Sequence, residues 1–174
     1  MMAKLTDAIK DLILNPVKEG AWTAQLGWIA TVREDGAPNI GPKRSCRIYD
    51  DATLVWNENT AGEIMKDIER GSKVAVAFAN WDKLDGYRFV GTAEVHKEGK
   101  YYDEVVEWAK GKMGVPKAAV VFHIEEVYTL KSGPTAGTRI KIKKGTGNLS
   151  THTENQCSVA TNVFSDDLCM TEVV

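Results

Sequence analysis

The segment Lys73 to Asn80, KVAVAFAN, is apolar on both of its alternating faces. Val74, Val76 and Phe78 form one face; Ala75, Ala77 and Ala79 form the other. An extended segment with no polar side belongs inside a sheet, covered from both directions. Its alanine face is small, so another element can approach closely. The rest of the chain must supply strands on both sides of it.

It does so with short strands more than with helices. In Gln25 to Val32, the residues Leu26, Trp28, Ala30 and Val32 share one face, and Glu34-Asp35-Gly36 marks a hairpin turn. Ala37 to Tyr49 returns as a second strand. Pro38 and Pro42 cannot donate to a ladder, so this strand is expected at an edge or bulged. Irregular backbone of that kind often borders a site. After a turn at Asp50-Asp51, Thr53 to Asn57 is the third strand. Tyr87 to Lys97 is a long strand with Gly91 as the candidate bulge, and Ala118 to Lys131 is the last.

Three segments have helical period. Leu5, Ala8, Ile9, Leu12 and Ile13 predict a helix over Lys4 to Asn15, packed on the core or on a partner subunit. Ile64, Met65 and Ile68 predict a helix from Ala61 to near Gly71, with Thr60 and Glu63 at capping-box spacing. Gly99 to Met113 is the third, stopped by Gly114 and Pro116. Past the N-terminal helix the order is β-β-β-α-β-β-α-β. It predicts a mainly β (α+β) fold, an antiparallel six-stranded barrel with flanking helices. Residues 1–131 would hold the barrel and its N-terminal helix. Beyond the breaker Ser132-Gly133-Pro134, residues 132–174 lose periodicity and are expected to be a loosely structured extension.

Composition excludes some partners. The net charge of −2 gives no basic field for nucleic acid. No apolar run approaches the ~18 residues of a membrane span. Met1 to Lys10 lacks the continuous apolar stretch of a secretory signal. Cys46, Cys157 and Cys169 are an odd, sparse set, expected as reduced thiols in a cytoplasm. Cys46 reads as a small buried hydrophobe.

Familiar catalytic motifs are absent from the sequence: no GxxxxGK[ST], no GxGxxG, no HExxH and no CxxC. His96, His123 and His152 lack ligand spacing, so no metal is expected. His123 alternates with apolar neighbours and reads as a barrel-wall residue. No nucleophile-base arrangement assembles, and no catalytic residue is assigned.

Two polar clusters remain. Pro42-Lys43-Arg44-Ser45 sits on the second strand. Asn57-Glu58-Asn59-Thr60-Ala61-Gly62 sits where the third strand hands over to the helix. Two cations beside a helix start make a pocket for a phosphate, the end of a nucleotide-type cofactor. The plainer reading is solvated strand charges and an ordinary helix cap.

The segments GAPNIGPKRSCRIYDDATLVW, NENTAGEIMKDIERGSKVAVAFAN, LDGYRFVGTAEVHKEG and YYDEVVEWAKGK, with KAAVVFHIEEVYTL after them, are similar in order and spacing to one family. The chain resembles the pyridoxamine 5′-phosphate oxidase-like, FMN-binding split-barrel proteins from about Trp22 to Leu130. The resemblance implies a split barrel with FMN at a homodimer interface and a small-molecule substrate or redox partner. Its phosphate-binding positions map onto Pro42, Lys43, Arg44, Ser45, Asn59, Thr60, Ala61 and Gly62. Many relatives carry Lys at the start of the helix where this chain has Glu63-Ile64. A carboxylate there must point away, and a capping box would fold Glu63 back to the Thr60 N–H. The last strand lacks the Arg/His substrate motif of the vitamin B6 enzymes. The resemblance therefore implies an FMN-dependent oxidoreductase, a non-catalytic flavin carrier, or a split barrel that takes haem or a deazaflavin.

Overall fold

The computed structural model of the protein describes residues 3–14 and 25–141. Its elements are α1 (Asp7–Leu14), β1 (Gly27–Val32), β2 (Pro38–Lys43), β3 (Arg47–Asp50), β4 (Thr53–Glu58), α2 (Glu63–Glu69), β5 (Val74–Asn80), β6 (Asp85–His96), α3 (Lys100–Ala109) and β7 (Ala118–Thr129). The strands form a single antiparallel sheet in the order β2-β1-β5-β6-β7-β4-β3. The mainly β class expected from the sequence is the class observed, and β5 lies in the interior of the sheet.

One expectation needs correcting. Ala37 to Tyr49 is two strands, so the sheet has seven strands and not six. The Arg44-Ser45 turn divides them, with the Cys46 N–H donating to the Lys43 carbonyl at 3.2 Å. β2 forms one edge of the sheet and β3 the other. The turn thus carries the chain across the split of the barrel. Gly27 makes this possible, because a Cβ there would lie 2.7 Å from the Cys46 Cβ.

The core lies on the concave side. Ile29, Val76, Phe78, Phe89, Phe122 and Ile124 are fully buried, and Ile9 and Ile13 of α1 join them. Helix α1 is therefore an internal plug. Helix α3 packs on the other side of β4 and β7, where Val105 meets Val55, Ala119 and Val121. Gly91 marks the expected bulge, a register shift at Val90/Gly91.

The face shared by Trp28, Ala30 and Val32 points outward. Trp28 is 42% exposed, and Ile40 beside it on β2 is 66% exposed. Register places Trp28 opposite Ala77, Ala30 opposite Ala75 and Ile40 opposite Ala30. Ala79 and Trp81 continue the exposed strip. In the described part of the expected C-terminal extension, residues 132–139 are exposed and Ile140 packs against the core. Arg139 bridges to Tyr128, and the Ile140 N–H donates to the Val127 carbonyl at 2.8 Å. Residues 142–174 lie outside the described residues.

Candidate functional site

Strand β4 ends in Glu58, which is fully buried. Its carboxylate organises the turn that follows. Oε1 accepts from the Thr60 N–H at 3.0 Å, the Thr60 hydroxyl at 2.7 Å and the Ala61 N–H at 3.1 Å. Oε2 accepts from Lys43 Nζ at 2.5 Å. Ala61 has a φ of +52°, a left-handed conformation uncommon for a residue with a Cβ. That conformation accompanies the convergence of consecutive N–H groups, a backbone nest of the kind that binds anions. Burial opposes the charge on Glu58, but the Lys43 ammonium and the Thr60 donors outweigh it. The carboxyl is held below the ordinary glutamate range.

The Lys43–Glu58 pair also spans the split. Lys43 ends one edge strand of the sheet, and Glu58 ends the strand next to the opposite edge. Lys43, Glu58, Thr60, Gly62 and Glu63 line a cavity of about 200 Å³.

The other residues expected at the site are placed differently. Ser45 is buried, and its hydroxyl accepts from the Asn57 N–H at 3.1 Å. Arg44 is exposed on the turn between β2 and β3, and Pro42 is exposed on β2. Asn59 donates through Nδ2 to the Met113 sulfur at 3.1 Å. The structure thus brings Lys43, Thr60, Ala61 and Gly62 together around Glu58, while Ser45 and Asn59 have partners elsewhere.

The capping box does not form. Helix α2 starts at Glu63, with Gly62 as an N-cap that makes no side-chain bond. The Thr60 N–H expected to receive Glu63 goes to Glu58 instead, and Glu63 pairs with Lys66 at 3.4 Å. Glu58 stands within the second polar cluster of the sequence, where its residue type alone assigns it no role. The available signal was an acid placed at the end of an otherwise apolar strand, one step before the polar turn.

These residues do not fit a phosphate at the cradle. Its converging donors are the Thr60 and Ala61 N–H groups, the Thr60 hydroxyl and the Lys43 ammonium, and all of them already point at Glu58. A phosphate would need the place that the carboxylate holds.

A second polar cluster ties α3 to the barrel. Arg47 donates to the Ser45 carbonyl and to Asn57 Oδ1, each at 2.9 Å, and to Glu104 at 2.6 Å. Its guanidinium stacks 4.2 Å from the centre of the Trp108 ring. On β6 and β7, Glu94 stands between His96 at 3.2 Å and His123 at 3.6 Å. Among the described residues no group of His, Cys, Asp or Glu has the geometry to hold a metal ion. No described helix is long and apolar enough to cross a membrane. Cys46 is fully buried, and burial pushes its thiol up to about 12.

The sequence profile of the pyridoxamine 5′-phosphate oxidase family matches residues 5–131. Among solved structures, HupZ of Group A Streptococcus is 48% identical, with a TM-score of 0.66, covering 76% of this chain and 99% of that one. A candidate pyridoxamine 5′-phosphate oxidase of Lactobacillus delbrueckii is 35% identical, with a TM-score of 0.60, covering 74% and 99%. An FMN-binding protein of Syntrophomonas wolfei shares the fold, at 18% identity and a TM-score of 0.53, covering 70% and 83%.

Proposed function

We propose that this chain, which belongs to the pyridoxamine 5′-phosphate oxidase family across residues 5–131, is a cytoplasmic flavoprotein. In this reading it works as a homodimer and oxidises or reduces a small molecule. FMN is the flavin this reading starts from, because a protein of the same fold binds it. A flavin ring brings its own hydride chemistry, and the protein supplies placement and electrostatics. The observation that carries the reading is the outward strip of Ile40, Trp28, Ala30, Ala75 and Ala77. Two copies meeting there bury it in one isologous patch. The junction of two such faces suits a flat, largely apolar ring. No step is assigned to the FMN phosphate, since the Glu58 cradle does not fit it.

The test is to identify by mass the small molecule released from protein purified without added cofactor. A flavin mass is expected. A haem or deazaflavin mass would replace this reading with that of a split barrel for another ligand. Bleaching by NAD(P)H, followed by reoxidation with candidate acceptors, then separates an oxidoreductase from a flavin carrier.

A further inference from the structure

We infer that Glu58 is the resident anion of the cradle and fixes the ligand class: this chain takes a ligand with no phosphate monoester at that position. The inference concerns the same site as the flavin reading and rests on it for the choice of ring.

The turn after β4 is built to hold an anion, and it holds one. Four donors converge on a single carboxylate, at 2.5 to 3.1 Å. Two of them are backbone N–H groups, set by the left-handed Ala61. These are the donors expected to grip a phosphate. The carboxylate is not a mobile side chain resting on the surface. Glu58 is fully buried, on a strand paired residue for residue with β7. Leaving the cradle would strip it of every partner and leave Lys43 without its counter-charge.

The adjoining cavity points the same way. Its charged walls are Lys43, Glu58 and Glu63, two carboxylates against one ammonium. A phosphate monoester carries about −1.5 to −2 charges near neutral pH, so it would enter a space already negative. A neutral polar chain, such as the ribityl group of an unphosphorylated flavin, meets no such penalty. Glu58 thus acts here as a built-in substitute for the ligand's phosphate, and it selects against ligands that bring their own.

The experiment uses the full chain as wild type, Glu58→Ser and Glu58→Ala. FMN and riboflavin are titrated by fluorescence, and inorganic phosphate is tested for its effect on thermal unfolding. Wild type is expected to bind FMN no more tightly than riboflavin, and phosphate should not raise its Tm. In Glu58→Ala the freed donors and the unpaired Lys43 should recruit phosphate. FMN should then be preferred over riboflavin by about tenfold or more, the value of one charge-assisted hydrogen bond. Phosphate should raise the Tm of that variant. If Glu58→Ala does not fold, Glu58→Ser, which also vacates the place of the carboxylate, is read in the same two ways.

A wild-type preference for FMN of tenfold or more would overturn the inference. So would folded variants with no gain in either readout. If no form binds either flavin, the flavin reading fails, and the phosphate arm alone decides the role of Glu58.

Discussion

Asp67 is a fully buried carboxylate on α2, and its partners show what holds the helix against the barrel. Oδ2 accepts from the Thr31 hydroxyl at 2.6 Å and from Asn39 at 3.2 Å, and Oδ1 accepts from Arg70 at 2.8 Å. Burial pushes the carboxyl up, but Thr31, Arg70 and Asn39 outweigh it and hold it below the ordinary aspartate range. A depressed folded value means that the stabilisation is complete above the unfolded value of 3.8 and is lost as pH falls through the folded one. Asp67→Ala should cost about 2–3 kcal/mol at neutral pH, because it leaves buried donors unmatched. Its urea midpoint should also fall less steeply than that of wild type below pH 4. Parallel acid limbs would show that Asp67 does not set the acid response. Gly91 is a different kind of constraint. A Cβ there would lie 2.0 Å from the His123 carbonyl oxygen, across the β6–β7 bulge. The obstacle is backbone, so Gly91→Ala should cost about 3 kcal/mol by forced repacking, seen as a lower Tm. An unchanged Tm would mean that the strands part without cost.

Among the elements, α3 takes its polar attachment to the barrel from Arg47 and from Asn57, whose Nδ2 donates to the Val105 carbonyl at 2.9 Å. The Arg47 fork reaches β4 through Asn57 and α3 through Glu104, and it stacks on Trp108. Arg47→Lys should therefore behave almost like Arg47→Ala, because an ammonium cannot reproduce the fork. Hydrogen exchange of the α3 amides should speed up in both variants while β5 and β6 stay protected. Full protection of α3 in Arg47→Lys would reduce the arginine to a point charge. Periodicity made most elements legible, β5 above all, because apolar residues on both faces leave a strand few places to go. It failed between Ala37 and Tyr49. The Lys43-Arg44-Ser45-Cys46 stretch contains no Gly, Pro or Asn to announce a turn. What bends the chain there is closure of the barrel, which allows Cys46 to pack against Gly27. The capping box at Thr60 failed for a related reason. It is a local signal, and it lost to Glu58 and Lys43, which meet only when opposite edges of the sheet approach. Lys43 and Thr60 were legible as polar groups near one site. The anion they serve was not, because its role depends on that closure.

At the scale of the whole molecule, the account turns on the outward strip. Of the two placements expected for the N-terminal helix, the core is the one observed: Leu5, Ile9, Leu12 and Ile13 are buried there and add nothing to the strip. The strip is made by the sheet, through Ile40, Trp28 and the β5 alanines, and by Trp81 in the turn after β5, 86% exposed. Trp22 lies outside the described residues, as does the whole of His152 to Val174. Placing a charge in the strip should separate association from folding. Ala77→Glu, opposite Trp28, should halve the solution mass and leave Tm largely unchanged at low concentration, because the residue faces away from the core. A variant that stays a dimer would move the interface elsewhere. In the proposed function a flavin ring sits between two copies of this chain. The most direct test of that placement is light scattering with simultaneous flavin absorbance on wild type across a dilution series. The account predicts a mass of two chains carrying flavin at high concentration, with monomer and free flavin arising together on dilution. A mass of one chain with flavin still fully bound would contradict it.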